Sequence, residues 1–252
     1  MPFSTMNPTH PYKSGKPPSD QLTETSPAAR KAQVKKARAY YRVHSKFYDL
    51  TRWPFLFGRR RLASELPYPR NARIDVAEVG CGTGIMLRQI AGRYPNARLA
   101  GYDVSGEMLA KARRKLRPFH DRVTLHEGNF SEDSGDRFVD VDVILFSYSL
   151  SLINPQWQTV VMESAENLKK EGMIAVVDFH DSPHISVKRY FAGSHVKMDG
   201  HLYPFLQRQF TAHHHEHRWA YGNLWSYFLF IGSPKSSADY LSLNCSDRLT
   251  PS

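Results

Sequence analysis

Apolar positions fall into two alternating patterns from residue 74 onward. Short apolar runs typical of buried strands lie in IDVAEVG, ARLAGYDVS, VTLHEGNF, VDVILFSYSL and MIAVVDFH. The segments 86–94, 107–116 and 156–169 between them predict helices. Strands and helices that alternate in this way predict βαβ units and a mostly parallel sheet.

Two more strands are predicted near the end of the chain. The segments 211–220 and 224–232 are separated by Tyr221-Gly222-Asn223, which is typical of a turn. They predict an antiparallel hairpin at the edge of the sheet. The expected fold class is therefore α/β and Rossmann-like, with an antiparallel C-terminal hairpin and N-terminal helices before the sheet.

The regions outside this α/β domain have different compositions. Residues 1–28 are rich in Pro, Ser, Thr and Lys and predict a disordered tail. Residues 29–68 predict a basic helical cap, with a break at Pro54 and a second short helix up to Glu65. Residues 69–232 form the α/β domain, and residues 233–252 predict a flexible tail.

The positive charge is concentrated in the cap. Between residues 30 and 61 there are eleven basic residues and one acid, which accounts for the whole formal net charge of +10. A segment of this kind is typical of contact with an anionic membrane or with nucleic acid, although it is also compatible with a solvated helix face. The 2 cysteines, the lack of an apolar run of roughly 18 residues and the absence of a signal-type start predict a cytoplasmic protein.

The sharpest motif is a glycine loop that follows the first strand and opens a helix. It contains Gly80, Cys81, Gly82 and Gly84, with Glu78 two residues before the first glycine. The spacing is G-x-G-x-G, which is neither the dinucleotide fingerprint nor a Walker loop. Backbone N–H groups at a helix start suit a carboxylate, and the Glu78 carboxylate suits an ammonium group.

A second acidic residue completes this ligand pattern. Asp103 lies 19 residues after Gly84 at the end of the next strand, followed by Val104, where a carboxylate can bind a ribose diol. An amino acid joined to a nucleoside has a carboxylate, an ammonium group and a ribose. The predicted cofactor is therefore S-adenosyl-L-methionine (SAM).

Topology extends the pocket to the ends of the next two strands, because ligands of open α/β sheets lie beyond the carboxyl ends of the strands. Asn129 and Phe130 end the third strand and are predicted to contact adenine. Ser147 and Tyr148 end the fourth strand, next to the expected position of the reactive methyl group.

The segments VAEVGCGTG, GYDVS and EGNF together resemble the class I SAM-dependent methyltransferases. RAYYRVHSKFYDLTRWPFLFGRRRL and FSYSLSLINPQW resemble a narrower group, the betaine-lipid N-methyltransferases, which convert diacylglyceryl-homoserine to diacylglyceryl-trimethylhomoserine. SYSLSLINPQW is also similar to bacterial phosphatidylethanolamine N-methyltransferases. The family usually has an acid at the end of the third strand, where this chain has Asn129.

The resemblance implies cofactor roles and a lipid substrate. The cofactor roles pass to residues that match the family motifs, namely Glu78, Gly80, Gly82, Gly84, Asp103, Asn129 and Ser147. It also implies that a helix containing Tyr41 caps the cofactor. The implied partners are a lipid at an anionic membrane surface and a separate enzyme that makes diacylglyceryl-homoserine, with no nucleic acid.

Methyl transfer to an amine needs a neutral nitrogen, whereas a free alkylamine stays protonated up to about pH 10. A dry apolar site lowers that pKa, and a His or Tyr can accept the proton. The candidates are Tyr148, His180, Tyr48 and His44, together with Tyr41 as an aromatic wall. Trp53 and residues 55–57 are expected either to insert into a membrane or to pack on the sheet.

The run His213-His214-His215-Glu216-His217 raises the question of a metal. On a strand, His213, His215 and His217 share one face, whereas His214 and Glu216 share the other. Methyl transfer needs no metal, so polar residues on an edge hairpin are the preferred interpretation and no metal site is predicted. Cys81 is expected to be a packing residue.

Four other functions stay open at this point. The same fold could methylate phosphatidylethanolamine, or a carbon or oxygen atom of a small molecule or quinone. It could also act on RNA through the basic cap, or serve as a SAM-binding regulator without turnover.

Overall fold

A computed structural model describes residues 55–128 and 140–235. The predicted N-terminal tail and most of the basic cap, including Tyr41, His44, Tyr48 and Trp53, lie outside these residues, as do Asn129, Phe130 and residues 236–252. The described helices are α1 (Arg59–Glu65), α2 (Ile85–Arg93), α3 (Gly106–Leu116), α4 (Trp157–Ala165), α5 (Ile185–Ala192) and α6 (Leu202–Gln209). The described strands are β1 (Asp75–Val79), β2 (Arg98–Asp103), β3 (Val123–Glu127), β4 (Val141–Ser147), β5 (Leu168–Phe179), β6 (Phe210–Ala220) and β7 (Trp225–Pro234).

The strands form one sheet in the order β3-β2-β1-β4-β5-β7-β6. Strands β1 to β5 are parallel to one another, whereas β7 is antiparallel to both β5 and β6. The predicted α/β fold with an antiparallel C-terminal hairpin is confirmed. The hairpin inserts its second strand beside β5 because β7 is apolar on both faces, whereas the polar β6 forms the exposed edge.

Two apolar layers cover the sheet. One layer joins α1, α2, α3 and α5 to residues such as Leu145 and Phe179, and the other joins α4 and α6 to residues such as Phe146 and Phe228. The carboxyl ends of β1, β4 and β5 lie at one edge of this sandwich. Glycine loops and strand-end side chains therefore meet at that edge.

The structure corrects one predicted boundary. The helix expected over 156–169 ends at Ala165, and β5 already begins at Leu168, which pairs with Val141. The Lys169 ammonium lies 2.8 Å from the Asp142 carboxylate and 3.3 Å from that of Asp75, so strand pairing places it between two acids. The short helices α5 and α6 were not predicted.

None of the helices within the described ranges is long and apolar enough to cross a bilayer.

Candidate functional site

The glycine loop turns sharply between β1 and α2. Gly80, Gly82 and Gly84 have φ values of 73°, 54° and 74°, a region that favours glycine. A Cβ atom on Gly80 would lie 2.6 Å from Cβ of Ser149, whereas one on Gly82 would meet nothing within 4 Å. The loop is thus packed on one side and open on the side where a ligand can approach.

The Asp103 carboxylate is tied to the same loop. Its two oxygens accept hydrogen bonds from the N–H group of Gly82 (2.8 Å) in the glycine loop and from that of Ser105 (2.9 Å), which follows Val104. Burial raises the pKa of Asp103 to about 6, although both backbone donors favour the charged form. Each carboxylate oxygen keeps a free lone-pair direction, so the group can still accept bonds from a ribose diol.

Glu78 is a buried acid at the end of β1 with a relative exposure of 2%. It accepts a hydrogen bond from the N–H of Leu87, but Oε2 has no hydrogen-bond partner within the described structure. Burial raises the pKa of Glu78 to about 8, against the opposing charge of Arg59. A buried carboxylate oxygen without a donor is costly, and the ammonium group of SAM would satisfy it. The residues at this loop therefore fit the predicted cofactor.

Arg59 is the site residue that the sequence interpretation missed, because it counted this arginine only as part of the basic cap. Gly58, with a φ of 80°, begins helix α1 and directs Arg59 to the end of β4. Nε of Arg59 donates to Oγ of Ser147 at 2.8 Å, and Cζ lies 5.5 Å from the centre of the Tyr148 ring. No sequence signal identifies this contact, since it joins residues 88 positions apart.

Tyr148 follows β4, as the topology predicted, with a φ of 57°. Its hydroxyl donates to the carbonyl oxygen of Phe57 at 2.8 Å, and its ring packs edge-on against Phe179. Burial raises the pKa of Tyr148 well above its usual value. The side chain therefore holds the segment before α1 over the end of β4, while its role in proton transfer stays a prediction.

His180 follows β5 but its ring lies on the opposite face of the sheet. The ring packs against His217 (4.4 Å between centres), Tyr203 and Phe228, and Nδ1 is buried without a hydrogen-bond partner in the described part of the chain. Burial lowers the pKa of His180, so its imidazole is neutral near pH 7. The structure thus separates two predicted catalytic residues, Tyr148 and His180, onto different faces at one edge.

The histidine run is divided as its alternation predicted, apart from a bulge after Ala212. His215 and His217 face Tyr203, whereas Glu216 faces α1 and binds Arg61 at 2.9 Å. Across residues 55–128 and 140–235, no group of three or more His, Cys, Asp or Glu side chains is arranged to hold a metal ion.

Cys81 is buried in the glycine loop, and burial raises its pKa well above the usual value. The thiol is therefore protonated at neutral pH and is a poor nucleophile.

Part of the sequence is similar to a known domain family and to several curated proteins. Residues 76–172 match the family model for a methyltransferase domain. A trans-aconitate 2-methyltransferase of Afipia carboxidovorans is 31% identical over 126 residues, which cover 49% of this chain and 46% of that protein. A ubiquinone/menaquinone biosynthesis C-methyltransferase UbiE of Syntrophotalea carbinolica is 33% identical over 136 residues, covering 52% and 56%. The chain spans about half the length, or less, of the curated relatives it matches.

Solved structures share the fold at low identity. The Burkholderia thailandensis 1,6-didemethyltoxoflavin-N1-methyltransferase, with bound S-adenosylhomocysteine, has a TM-score of 0.63 at 13% identity and covers 86% of this chain and 94% of that chain. The geranyl diphosphate C-methyltransferase of Streptomyces coelicolor A3(2), with bound S-adenosyl-L-homocysteine, has a TM-score of 0.57 at 13% identity and covers 70% and 76%.

Proposed function

We propose, from the premise that this chain carries a class I SAM-dependent methyltransferase domain, that it methylates the amino group of a lipid headgroup. The preferred acceptor is diacylglyceryl-homoserine, with diacylglyceryl-trimethylhomoserine as the product. The resemblance of the cap and of the post-β4 segment to betaine-lipid N-methyltransferases supports this choice.

Each part of SAM has a candidate binding residue near the glycine loop or at a strand end. In this proposal Glu78 binds the ammonium group, the open side of Gly82 admits the methionine portion, and Asp103 binds the ribose. Asn129 and Phe130 would contact adenine, as the strand topology predicts for both and as the family resemblance implies for Asn129. When bound, SAM supplies an electrophilic methyl group on sulfur.

The contacts of Arg59 are the observation that supports the choice of acceptor. Its Nε atom is bonded to Ser147, and no carboxylate forms a salt bridge with it in the described part of the chain. A guanidinium retains donors in a fork that matches a carboxylate. A homoserine headgroup carries its carboxylate and its amine on the same carbon atom, so Arg59 can hold the carboxylate while the amine faces the methyl group.

The amine must lose its proton before it attacks. The apolar surroundings of Tyr148 and Phe179 disfavour an ammonium ion and so lower the amine pKa. Nδ1 of His180 is without a hydrogen-bond partner in the described structure, and its lowered pKa suits a proton acceptor. Because Nδ1 is buried and the ring lies on the face opposite Tyr148, the proton would have to pass from the amine to His180 around the sheet edge.

A second acceptor class requires the same test, because the relatives named above and a malonyl-[acyl-carrier protein] O-methyltransferase of Bacillus cytotoxicus (28% identical) carry small-molecule or carrier-protein names. A carboxylate held by Arg59 would then belong to a small acid that is methylated on oxygen or carbon. Phosphatidylethanolamine, which lacks a headgroup carboxylate, is the third acceptor to compare.

The test is transfer of labelled methyl groups from SAM to each acceptor by the purified full chain. We expect label in diacylglyceryl-homoserine and little in phosphatidylethanolamine. Arg59→Gln should raise the KM for diacylglyceryl-homoserine at least tenfold, because a charge-assisted pair is lost. Arg70→Gln is the matched control, since Arg70 is exposed in the loop after α1.

Two outcomes would redirect the proposal. Label only in a small acid or quinone would assign the enzyme to the second class. If Arg59→Gln weakens SAM binding and leaves the acceptor KM unchanged, the arginine binds the cofactor's carboxylate instead.

A further inference from the structure

Exposed apolar side chains are concentrated at one place on the surface. Of the seven large apolar side chains exposed in the described structure, six lie near the carboxyl edge of the sheet and are 38% to 65% exposed; one of them is Trp219 at the end of β6. We name the other five the apolar rim, and they are Phe57, Ile185, Tyr190, Tyr221 and Leu224. They come from three separate segments, the residues before α1, helix α5 and the β6–β7 turn.

Aromatic contacts connect the three segments of the rim. The ring of Phe57 lies 5.5 Å from that of Tyr221, and both contact Trp225, at 6.5 Å and 5.0 Å. Phe55 bridges to the third segment, with ring centres 5.4 Å from Trp225 and 6.3 Å from Tyr190.

A hydrogen bond also ties the turn to the start of α5. Oγ of Ser182 donates to the carbonyl oxygen of Leu224 at 2.7 Å, three residues before Ile185. The rim is therefore one connected surface rather than scattered residues, and a contiguous apolar surface of this kind marks an interaction site.

This surface lies beside the candidate active site. The hydroxyl of Tyr148, directly after β4, holds the carbonyl of Phe57. Helix α5 follows β5, and the turn follows β6, which runs in the same direction as β5. A partner seated on the rim would consequently face the same edge as the glycine loop.

Positive charge surrounds the rim. Arg60, Arg189 and Arg218 are exposed within three residues of a rim side chain, and Arg218 also pairs with Glu216 at 2.6 Å. The chain also joins the rim at Phe55, directly after the segment 30–54 that holds most of the excess of basic residues. Tyrosine and phenylalanine side chains next to arginines match the headgroup region of an anionic bilayer.

We propose that the apolar rim docks on an anionic lipid bilayer and so presents a headgroup to the active site. This inference rests on the proposed lipid acceptor, because a soluble acceptor needs no such surface. It divides the two expected roles of residues 55–57 between them, since Phe55 is packed against Phe191 and Trp225 whereas Phe57 is the exposed side chain of the three.

Vesicle flotation with the full chain tests the docking surface directly. The vesicles contain phosphatidylcholine alone or mixed with phosphatidylglycerol, without any acceptor lipid. Two double variants each remove two of the five rim side chains, Ile185→Ser with Tyr190→Ser and Tyr221→Asn with Leu224→Ser. Asparagine suits position 221 because its φ is 50°.

The control is Met162→Ser on α4, whose side chain is 38% exposed, as Phe57 is, but lies outside the rim. We expect wild type and the control to bind vesicles that contain phosphatidylglycerol, and less so at high salt. Each rim variant should bind about tenfold or more weakly, because burial of one large apolar side chain changes a partition constant by about that factor.

The results separate this inference from the proposed function. Equal vesicle binding by the rim variants and wild type would overturn the docking surface, as would absence of binding by wild type. A lower unfolding temperature with unchanged vesicle binding would also overturn it, since the rim side chains would then stabilise the fold without contacting the bilayer.

Activity is measured in parallel on a short-chain, water-soluble diacylglyceryl-homoserine. Rim variants should retain activity on that acceptor and lose it on the vesicle-embedded lipid. If vesicles bind through the rim but neither acceptor is methylated, the proposed acceptor fails and the docking surface stands.

Discussion

Replacement of Glu78 by glutamine should stabilise the cofactor-free protein and abolish its affinity for SAM. Burial raises the pKa of Glu78 to about 8 from an ordinary value of 4.5. The folded state therefore holds the proton more tightly than the unfolded state. This carboxyl group costs nothing below about pH 4.5, and it destabilises the fold progressively as the pH rises towards 8.

The size of the effect follows from these values. Between pH 4.5 and pH 7 the cost grows by about 1.4 kcal/mol per pH unit, which gives about 3 kcal/mol at pH 7. The introduced glutamine would keep the bond from the N–H of Leu87 but would bury an amide N–H without an acceptor, at about 1 kcal/mol. A net stabilisation of about 2 kcal/mol at pH 7 is expected, with almost none at pH 5.

Urea unfolding of cofactor-free wild type and Glu78→Gln at pH 5, 6, 7 and 8 measures this difference. Titration calorimetry in buffers of different ionisation enthalpy adds a second test. At pH 7 the wild-type carboxyl is mostly protonated, so binding of the SAM ammonium should release close to one proton, and Glu78→Gln should lose that release. A stabilisation that does not grow with pH, or equal SAM affinity in both proteins, refutes the assignment of Glu78.

Three further predictions follow from the site. Gly80→Ala should destabilise the fold by about 1–3 kcal/mol, since its Cβ meets Ser149, whereas Gly82→Ala should cost less and mainly weaken SAM binding; urea unfolding and calorimetry separate the two effects. Asp103→Ala should weaken SAM binding at least tenfold while circular dichroism stays unchanged, and retained affinity would contradict the ribose role. His180→Gln should slow methyl transfer about 100-fold and remove a pH limb that lies below pH 6.5 in wild type, as a rate–pH profile would show.

The order of elements along the chain could be predicted because it depends on local patterns. The strands around Val79, Asp103 and Ser147 and the helices after them carry their own periodicity and turn residues. The prediction was wrong where a local pattern was ambiguous, since a polar run around Lys169 fits either a helix end or a strand start. In the fold this segment is a strand, because Leu168 pairs with Val141.

The cofactor side of the candidate site was predictable for the same reason. One βαβ unit contains Glu78, the three glycines and Asp103. Their separation along the chain therefore nearly determines the distances between them in the fold. Their roles in binding stay predictions, but the hydrogen bond from Gly82 to Asp103 shows that the two strand ends meet.

The acceptor side depends on contacts between distant segments. The sequence by itself determined the strands, the helices and the glycine loop, because each is specified by residues within one or two turns of chain. Only the tertiary structure decided that Arg59 reaches Ser147, that Tyr148 and His180 lie on opposite faces, and that β7 separates β5 from β6. Sheet register and core packing set these relations, and both are properties of the whole fold rather than of any one segment.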